Sequence, residues 1–226
     1  MKISYKKGVY FFEEENILLG FTDKSFSGVN VSKEVRKVAD ILNFDFEGLS
    51  YLKQIHSSKV FWVRGSRNIY QGDSLFTLEK LRLLLIRTAD CLPLFFYSYK
   101  DNLVGLIHLG WKPAYKGILE NFFNKIGKFK IGLENSYLLI GPGLRECCFE
   151  VKRDFIAFNF FKDFIFKRKE RYFLDLGSFA RNEFIKRGFK EKNVLDTQFC
   201  SQCLESFYSF RRDKTQDRTL SFILQR

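Results

Sequence analysis

Residues 83–110 read LLLIRTADCLPLFFYSYKDNLVGLIHLG. This stretch contains three short apolar runs, at 83–88, 94–98 and 103–108, and small or polar residues separate them. Runs of this length that are bounded by turn residues are typical of buried β-strands. The stretch therefore predicts three strands in the protein core, of which the first ends near Cys91 and the third ends at His108.

In the segments on either side of this stretch, predicted helices and strands follow one another without the regular βαβ order of a doubly wound sheet. Apolar residues at helical spacing predict helices over residues 32–42, 114–126, 154–161 and 178–187, with Ser32 as the N-cap of the first. Short apolar runs predict further strands over residues 8–21, 49–55, 60–64, 137–140, 194–195, 207–210 and 221–224. We therefore predict a mixed α/β (α+β) fold, a single domain over residues 1–226 with a central mixed sheet flanked by helices.

Length and composition limit the class of protein. The chain has 226 residues, of which 46% are hydrophobic, so it is long enough for its own core and too apolar for intrinsic disorder. No apolar run approaches the roughly 18 residues that a membrane span needs. The first residues, MKISYKKGVYFFEEEN, show no export signal. We therefore expect a cytoplasmic enzyme without a membrane partner.

The charge balance is strongly basic. There are 38 Lys and Arg residues against 26 Asp and Glu residues, which gives a net charge of +12. The basic residues are scattered along the chain rather than clustered, so we do not expect a nucleic-acid partner. A positive field would instead attract small anionic or phosphate-bearing substrates.

Five cysteines are present, and four of them lie outside the stretch quoted above. Cys147 and Cys148 are adjacent, and Cys200 and Cys203 form a C-x-x-C pair. A disulfide framework is not expected in a reducing compartment. A structural zinc knuckle would need two more ligands from distant parts of the chain, so we expect these residues to be ordinary buried thiols.

Histidine is scarce, which makes its position informative. The two histidines, His56 and His108, each follow or end an apolar run, and Cys91 follows the run at 83–88. Two imidazoles and one thiolate are three ligands for zinc, with the fourth position open to water or substrate. A copper ion would also accept these ligand types.

The same three residues support two other interpretations. Cys91 could be a nucleophile with a histidine as its base, as in cysteine hydrolases. The residues could also be a buried thiol and two core histidines without a function. The spacing by itself leaves all three interpretations open.

Six motifs are more specific than the spacing. They occur in the order QIHSSKV, GDSLFT, RTADCLPLFF, IHLGWKP, IGPGLRECCFEV and FYSFRRD. Together they resemble the YfiH/YlmD family, also called the PgeF or multicopper polyphenol oxidase (laccase) family. The resemblance covers residues 50–226, and more loosely the whole chain.

The resemblance implies a fold and an activity. It implies a YfiH-like fold with one catalytic zinc ion bound by His56, Cys91 and His108. It also implies phosphorolysis of adenosine, inosine, guanosine and S-methyl-5′-thioadenosine, together with deamination of adenosine, so that the partners are purine nucleosides and phosphate. A multicopper cluster needs many histidines, and the two in this chain exclude one.

Two segments depart from the family pattern. Members carry F-x-T-R-x-G-G-V-S near the N-terminus, whereas residues 20–27 here read GFTDKSFS, with Lys24 as the nearest cation. The late G-R motif is replaced by Gln216-Asp217-Arg218, so the arginine remains without its glycine. We expect an altered activity if the first loop binds phosphate.

Other residues near the motifs are candidates for the remaining roles. The candidates for catalysis are Cys91 and the two acids Asp73 and Asp90, which could protonate a departing ammonia. The candidates for substrate and phosphate binding are polar or basic residues close to the motifs: Gln54, Ser57, Arg87, Arg145 and Arg211.

The prediction is a zinc-dependent purine nucleoside phosphorylase with adenosine deaminase activity. The alternative is a metal-free Cys-His hydrolase or amidase that edits peptidoglycan precursors. A third hypothesis is a non-catalytic binding protein whose zinc is structural and has a fourth protein ligand. Neither the preferred nucleoside nor the oligomeric state follows from the sequence.

Overall fold

A computed structural model describes residues 2–66, 68–157 and 159–226. The strands are β1 Ser4–Lys6, β2 Val9–Glu14, β3 Ile17–Thr22, β4 Gly48–Lys53, β5 Val60–Trp62, β6 Ile69–Gln71, β7 Ser74–Thr77, β8 Arg82–Thr88, β9 Leu92–Ser98, β10 Leu103–Leu109, β11 Tyr137–Ile140, β12 Glu150–Val151, β13 Ile165–Arg168, β14 Arg171–Leu174, β15 Val194–Asp196 and β16 Thr219–Gln225. The α-helices are α1 Val31–Leu42, α2 Trp111–Tyr115, α3 Ile118–Ile126, α4 Leu176–Lys186 and α5 Phe210–Asp213.

The strands form two large mixed sheets and one small antiparallel sheet. The first has the order β1-β2-β3-β16-β8-β4-β6, and the second has the order β15-β11-β9-β10-β7-β5. Pairing is parallel where β4 meets β6 and β8, where β11 meets β15 and where β5 meets β7. The small sheet has the order β12-β14-β13.

The two large sheets face each other across an apolar layer. Buried side chains from the first sheet, such as Phe21 and Ile223, pack in one cluster with Phe95 and Leu106 from the second. The outer face of the first sheet packs against α1. The outer face of the second packs against α3 and α4. The molecule is therefore layered as helix, sheet, sheet and helices.

The mixed α/β class is confirmed, but the arrangement of its strands differs from the expected central sheet. Strands β8, β9 and β10 are buried as the quoted stretch predicts. However, β8 belongs to the first sheet, whereas β9 and β10 belong to the second. The shared apolar layer favours the single-domain organisation, which stays a prediction.

Three predicted elements differ from the structure. Two of them are helical with other bounds or geometry, and the third, a predicted strand, does not form. The helix expected over 114–126 is two helices, because the chain turns at Gly117 with a φ of 80°. The region 154–161 forms 3₁₀-helices over Arg153–Ala157 and Asn159–Phe164, and residue 158 lies outside the described residues. No strand forms over 207–210, where Ser209 instead caps α5 by accepting a hydrogen bond from the Arg212 N–H.

The first helix begins one residue earlier than predicted. Its N-cap is Asn30, whose side chain accepts a hydrogen bond from the Lys33 N–H, and Ser32 lies inside the helix. Within the described residues, no helix combines the length and the apolarity needed to cross a bilayer.

Candidate metal centre and cleft

The candidate site lies where the chain crosses from one large sheet to the other. His56 is in the crossing from β4 to β5, and Cys91 is in the crossing from β8 to β9. His108 is near the end of β10, which pairs with both β9 and β7. Two residues at the crossings, His56 and Asp90, have positive φ angles of 53° and 84°. The left-handed backbone at these two residues lets the chain turn sharply as it passes between the sheets.

The three side chains converge. One ligand atom from each of His56, Cys91 and His108 lies within 4.8 Å of the other two. The Cys91 Sγ is 4.0 Å from the His56 Nε2, and the two imidazole centroids are 5.0 Å apart. Within the described residues, no further His, Cys, Asp or Glu joins this group. The group could therefore hold one metal ion with an open position.

Asp73 holds His56 and His108 in place through hydrogen bonds. Its Oδ1 lies 2.8 Å from the His108 Nδ1 and accepts a hydrogen bond of 3.0 Å from the His56 backbone N–H. Its Oδ2 accepts hydrogen bonds from the Ser57 N–H and the Ser57 hydroxyl. With the Nδ1 of His108 bound to a carboxylate, the Nε2 of His108 is available to a metal ion.

The ionisation of these groups reflects their proximity. Burial raises the pKa of Asp73, but hydrogen bonds from His108 and Ser57 outweigh it and lower that pKa to about 2. Burial likewise raises the pKa of Cys91, yet His108 and His56 lower it to about 6. Burial lowers the pKa of His108, whereas Cys91 and Asp73 raise it to about 9. The lowered pKa of Cys91 and the raised pKa of His108 both favour a thiolate beside an imidazolium at neutral pH.

Gly110 allows the close approach of Cys91 to the turn that begins α2. A Cβ at this position would lie 2.7 Å from the Cys91 Sγ, which is closer than real Cβ atoms approach. A side chain here would displace the sulfur from its position between the histidines.

The group opens into a cleft of about 770 Å³. Three aromatic residues line it, Trp111, Phe149 and Phe210. The basic lining residues are Lys53, Arg87, Arg211, Lys214 and Arg218, and the acidic one among the described residues is Asp90. The cleft thus combines apolar surface with a strong excess of positive charge.

Gln54 and Ser57, both expected to bind substrate, have their polar atoms engaged by the protein. The Gln54 amide donates to the Arg87 carbonyl and accepts from the Arg87 N–H, and thereby joins the end of β4 to β8. The Ser57 hydroxyl donates to Asp73. These contacts favour roles in positioning His56 and Arg87.

The three predicted phosphate-binding arginines lie in different surroundings. Arg87 lines the cleft, donates to the Gly28 carbonyl and leaves its buried Nε without a partner in the described structure. Arg211 also lines the cleft, but its guanidinium donates to the carbonyls of Cys148 and Glu150. Arg145 does not line the cleft; it is 4% exposed and forms an ion pair of 2.8 Å with Asp196.

Asp90 lines the cleft, but both of its carboxylate oxygens accept hydrogen bonds. The donors are the Ser201 hydroxyl at 2.8 Å and the Arg211 backbone N–H at 2.7 Å. Asp73 is completely buried and is not among the residues that line the cleft. Catalytic roles for the two acids remain predictions, and their contacts favour positioning.

Several lining residues were not among the predicted binding residues. They are Lys53 at the end of β4, Phe149 in the loop before β12, and Phe210, Lys214 and Arg218 near the C-terminus. The motif at 207–213 and the retained Arg218 were the available sequence signals. The divergent loop at 22–27 does not line the cleft, and its Lys24 is paired with Asp213 at 3.1 Å.

Comparison with known proteins agrees with this architecture. Residues 8–226 match the family described as "Multi-copper polyphenol oxidoreductase laccase". A purine nucleoside phosphorylase of Borreliella burgdorferi is 30% identical over 182 residues, which covers 75% of this chain and 78% of the relative. The purine nucleoside phosphorylase YlmD of Bacillus subtilis is 30% identical, with coverage of 94% and 82%. The crystal structure of the hypothetical protein YfiH of Bacillus licheniformis superimposes with a TM-score of 0.85 at 26% identity, and 97% of each chain is covered.

Proposed function

This chain belongs to the multi-copper polyphenol oxidoreductase laccase family, and from that premise we propose that it is a zinc-dependent purine nucleoside phosphorylase of the cytoplasm. The observation that carries the proposal is the convergence of His56, Cys91 and His108 at a basic cleft. The relatives named purine nucleoside phosphorylase supply the substrate class.

The donor set fits one zinc ion and does not fit a multicopper centre. One thiolate and two imidazoles are borderline-soft ligands, and three protein ligands with an open fourth position are typical of catalytic zinc. The chain contains two histidines in total, too few for a copper cluster. When bound by His56, Cys91 and His108, zinc would supply Lewis-acid chemistry in the cleft.

Two arginines are the best candidates for the phosphate site. Arg87 and Arg218 both line the cleft, and the Arg87 Nε lacks a partner within the described structure. Burial lowers the pKa of the Arg218 guanidinium, and the positive charge of Arg87 lowers it further. An anion between the two guanidiniums would relieve this repulsion, and phosphate has the charge and the acceptor oxygens to do so.

The aromatic residues that line the cleft are a candidate site for the purine. Phe210 is 45% exposed beside the basic residues, and Phe149 and Trp111 line the same cleft. A purine has the flat apolar face that stacks on such rings. We assign the base to these rings and the phosphate to Arg87 and Arg218, and the Arg218 guanidinium lies 6.0 Å from the Phe210 ring centroid.

This arrangement suits phosphorolysis. A phosphate oxygen forms a bond to the anomeric carbon of the ribose while the bond from that carbon to the purine nitrogen breaks. The products are ribose 1-phosphate and the free base, and in the net reaction the proton of hydrogen phosphate passes to the base. The protein's own contribution is to hold the two reactants together in the correct orientation.

Deamination of adenosine is the second candidate activity of the same cleft. It needs an acid to protonate the ammonia, and Asp90 is the acidic residue among the described residues that line the cleft. Both Asp90 oxygens already accept hydrogen bonds. We therefore place phosphorolysis first, with adenosine, inosine, guanosine and S-methyl-5′-thioadenosine as substrates to be compared.

The test is incubation of the full chain with adenosine, with and without phosphate and with and without a chelator. We expect adenine and ribose 1-phosphate only when phosphate is present, and their loss with the chelator or in His56→Ala. Inosine without phosphate would assign deamination instead. Absence of any base release by metal-loaded protein would overturn the proposal.

Variants of the two arginines locate the phosphate. Arg87→Met and Arg218→Met should raise the KM for phosphate by about 10-fold or more, which corresponds to roughly one charge-assisted hydrogen bond. The matched control is Arg36→Met, which removes an exposed arginine of α1 and should leave the KM unchanged. Equal effects of all three variants would contradict the assignment.

The proximity of Cys91 to a histidine favours the Cys-His hydrolase alternative for peptidoglycan precursors. The Cys91 Sγ lies 4.0 Å from the His56 Nε2, and His108 and His56 lower the pKa of Cys91 to about 6, which favours the thiolate form that a nucleophile needs. A covalent adduct between Cys91 and a precursor peptide, found by mass spectrometry of metal-free protein, would support it. Loss of all turnover on removal of the metal would exclude it.

A further inference from the structure

The four cysteines outside the candidate active site meet at one point. Cys147 and Cys148 lie in the loop between β11 and β12, and Cys200 and Cys203 lie in the segment between β15 and α5. Their four sulfur atoms all lie within 4.8 Å of one another. The expectation of separate buried thiols was wrong, since Cys147 and Cys203 are exposed.

The spacing of the sulfur atoms matches a tetrahedral metal site. The Sγ of Cys203 lies 3.7 Å from that of Cys147 and 3.3 Å from that of Cys148. Zinc binds thiolates at about 2.3 Å, so the edge of a tetrahedral ZnS₄ unit is about 3.8 Å. A disulfide would instead bring two sulfurs to about 2.05 Å, and all five cysteines are free.

We propose that Cys147, Cys148, Cys200 and Cys203 form a second metal site that binds zinc with four thiolates. Four protein ligands leave no position for substrate, which is the arrangement of structural zinc sites. This site is distinct from the group of His56, Cys91 and His108, with which it shares no ligand.

The second ion would stabilise one wall of the cleft by cross-linking two loops. The two cysteine-bearing loops are joined by a bridge between Gly143 and Cys200 and by a hydrogen bond from the Ser201 N–H to the Gly143 carbonyl. Both loops also hold Asp90, next to Cys91 in the chain. The Leu144 N–H donates to its carbonyl and the Ser201 hydroxyl donates to its carboxylate.

Arg211 connects the same unit to the cleft. Its guanidinium donates to the Cys148 carbonyl, and its backbone N–H donates to Asp90. An ion that cross-links the two loops therefore fixes the position of Asp90 and of the cleft wall that contains Phe149 and Arg211.

The test is the metal content of the full chain, purified under reducing conditions and measured by elemental analysis. We expect two zinc ions per chain in the wild type, one in Cys203→Ser, one in His56→Ala and none in the double variant. The two single variants are controls for each other because each removes a ligand of a different site. Wild-type stoichiometry in Cys203→Ser, or iron in place of zinc, would overturn the proposal.

A second measurement does not depend on the folding of a cysteine variant. In His56→Ala, a thiol-binding mercurial should release the one remaining zinc ion, and the four cysteines should resist alkylation until that release. Cobalt substituted into the same variant should give the intense visible bands of a tetrahedral tetrathiolate. A metal-free His56→Ala protein in which peptide mapping finds Cys147, Cys148, Cys200 and Cys203 all readily alkylated would refute the second site, whatever the enzyme's activity.

Discussion

Asp73 accepts every hydrogen bond that the structure gives its side chain. The donors are the backbone N–H groups of His56 and Ser57, the Ser57 hydroxyl and the His108 ring nitrogen. An asparagine would turn an NH₂ group towards some of these donors. A carboxylate is therefore the group that fits, and it sets the ring orientation of His108.

We predict that Asp73→Asn lowers the free energy of unfolding of metal-free protein by about 2 kcal/mol at neutral pH. The pKa of Asp73 falls from 3.8 to about 2 on folding, so its stabilising contribution is present above 3.8 and is lost as the pH falls through 2. The difference from wild type should shrink to about half by roughly pH 3.

Denaturant unfolding at several pH values measures this difference. Asp40→Asn is the matched control because Asp40 is exposed on α1, and we expect an effect within about 0.5 kcal/mol. A difference between wild type and Asp73→Asn that stays constant down to about pH 3 would show that the charge of Asp73 is not responsible.

Gly110 is a second residue on which the site depends. We predict that Gly110→Ala weakens metal binding by about 10-fold, because the new Cβ would lie 2.7 Å from the Cys91 Sγ. Competition with a chelator measures the affinity. Gly127→Ala is the control, since nothing lies within 4 Å of its added Cβ. Equal affinities in the two variants would contradict the steric argument.

At the scale of elements, the site depends on how strand ends are tied together. Arg145, in the loop after β11, donates to the Gly141 carbonyl and pairs with Asp196 at the end of β15. Burial raises the pKa of Asp196 even beside this arginine. The pair thus joins two neighbouring strands at the base of the cysteine-bearing loops.

We predict that Arg145→Met destabilises the protein by about 3 kcal/mol, because Asp196 and two carbonyl groups lose a buried partner. Thermal or denaturant unfolding measures the loss. Lys186→Met removes a cation from the exposed pair with Glu183 on α4 and should cost less than about 1 kcal/mol. A similar small cost for Arg145→Met would show that the ion pair does not stabilise these strand ends.

At the scale of the whole molecule, the net charge of +12 acts together with the basic cleft. We predict that the KM for phosphate rises roughly threefold between about 50 and 200 mM salt, because salt screens the attraction of an anion to a positive surface. The KM for the neutral nucleoside serves as the internal control. Equal changes in both constants would indicate a general effect of salt on the fold.

The sequence alone was sufficient for the local features of the site. Runs of apolar residues indicate β8, β9 and β10, since a short continuous apolar run bounded by turn residues is a local signal of a buried strand. Because the chain has two histidines, few combinations of histidine and cysteine ligands were possible. The structure brings His56, Cys91 and His108 together.

Only the tertiary structure decided the features that depend on distant partners. They are the stacking of two sheets, the buried pair of Arg145 and Asp196, and the meeting of Cys147 with Cys203. The two side-chain pairs join residues 51 and 56 positions apart. Such contacts depend on how layers pack, and no local pattern encodes their register. The residue types in the sequence thus identify the side chains that can bind a metal. Tertiary packing determines which of them lie close enough together to bind the same ion.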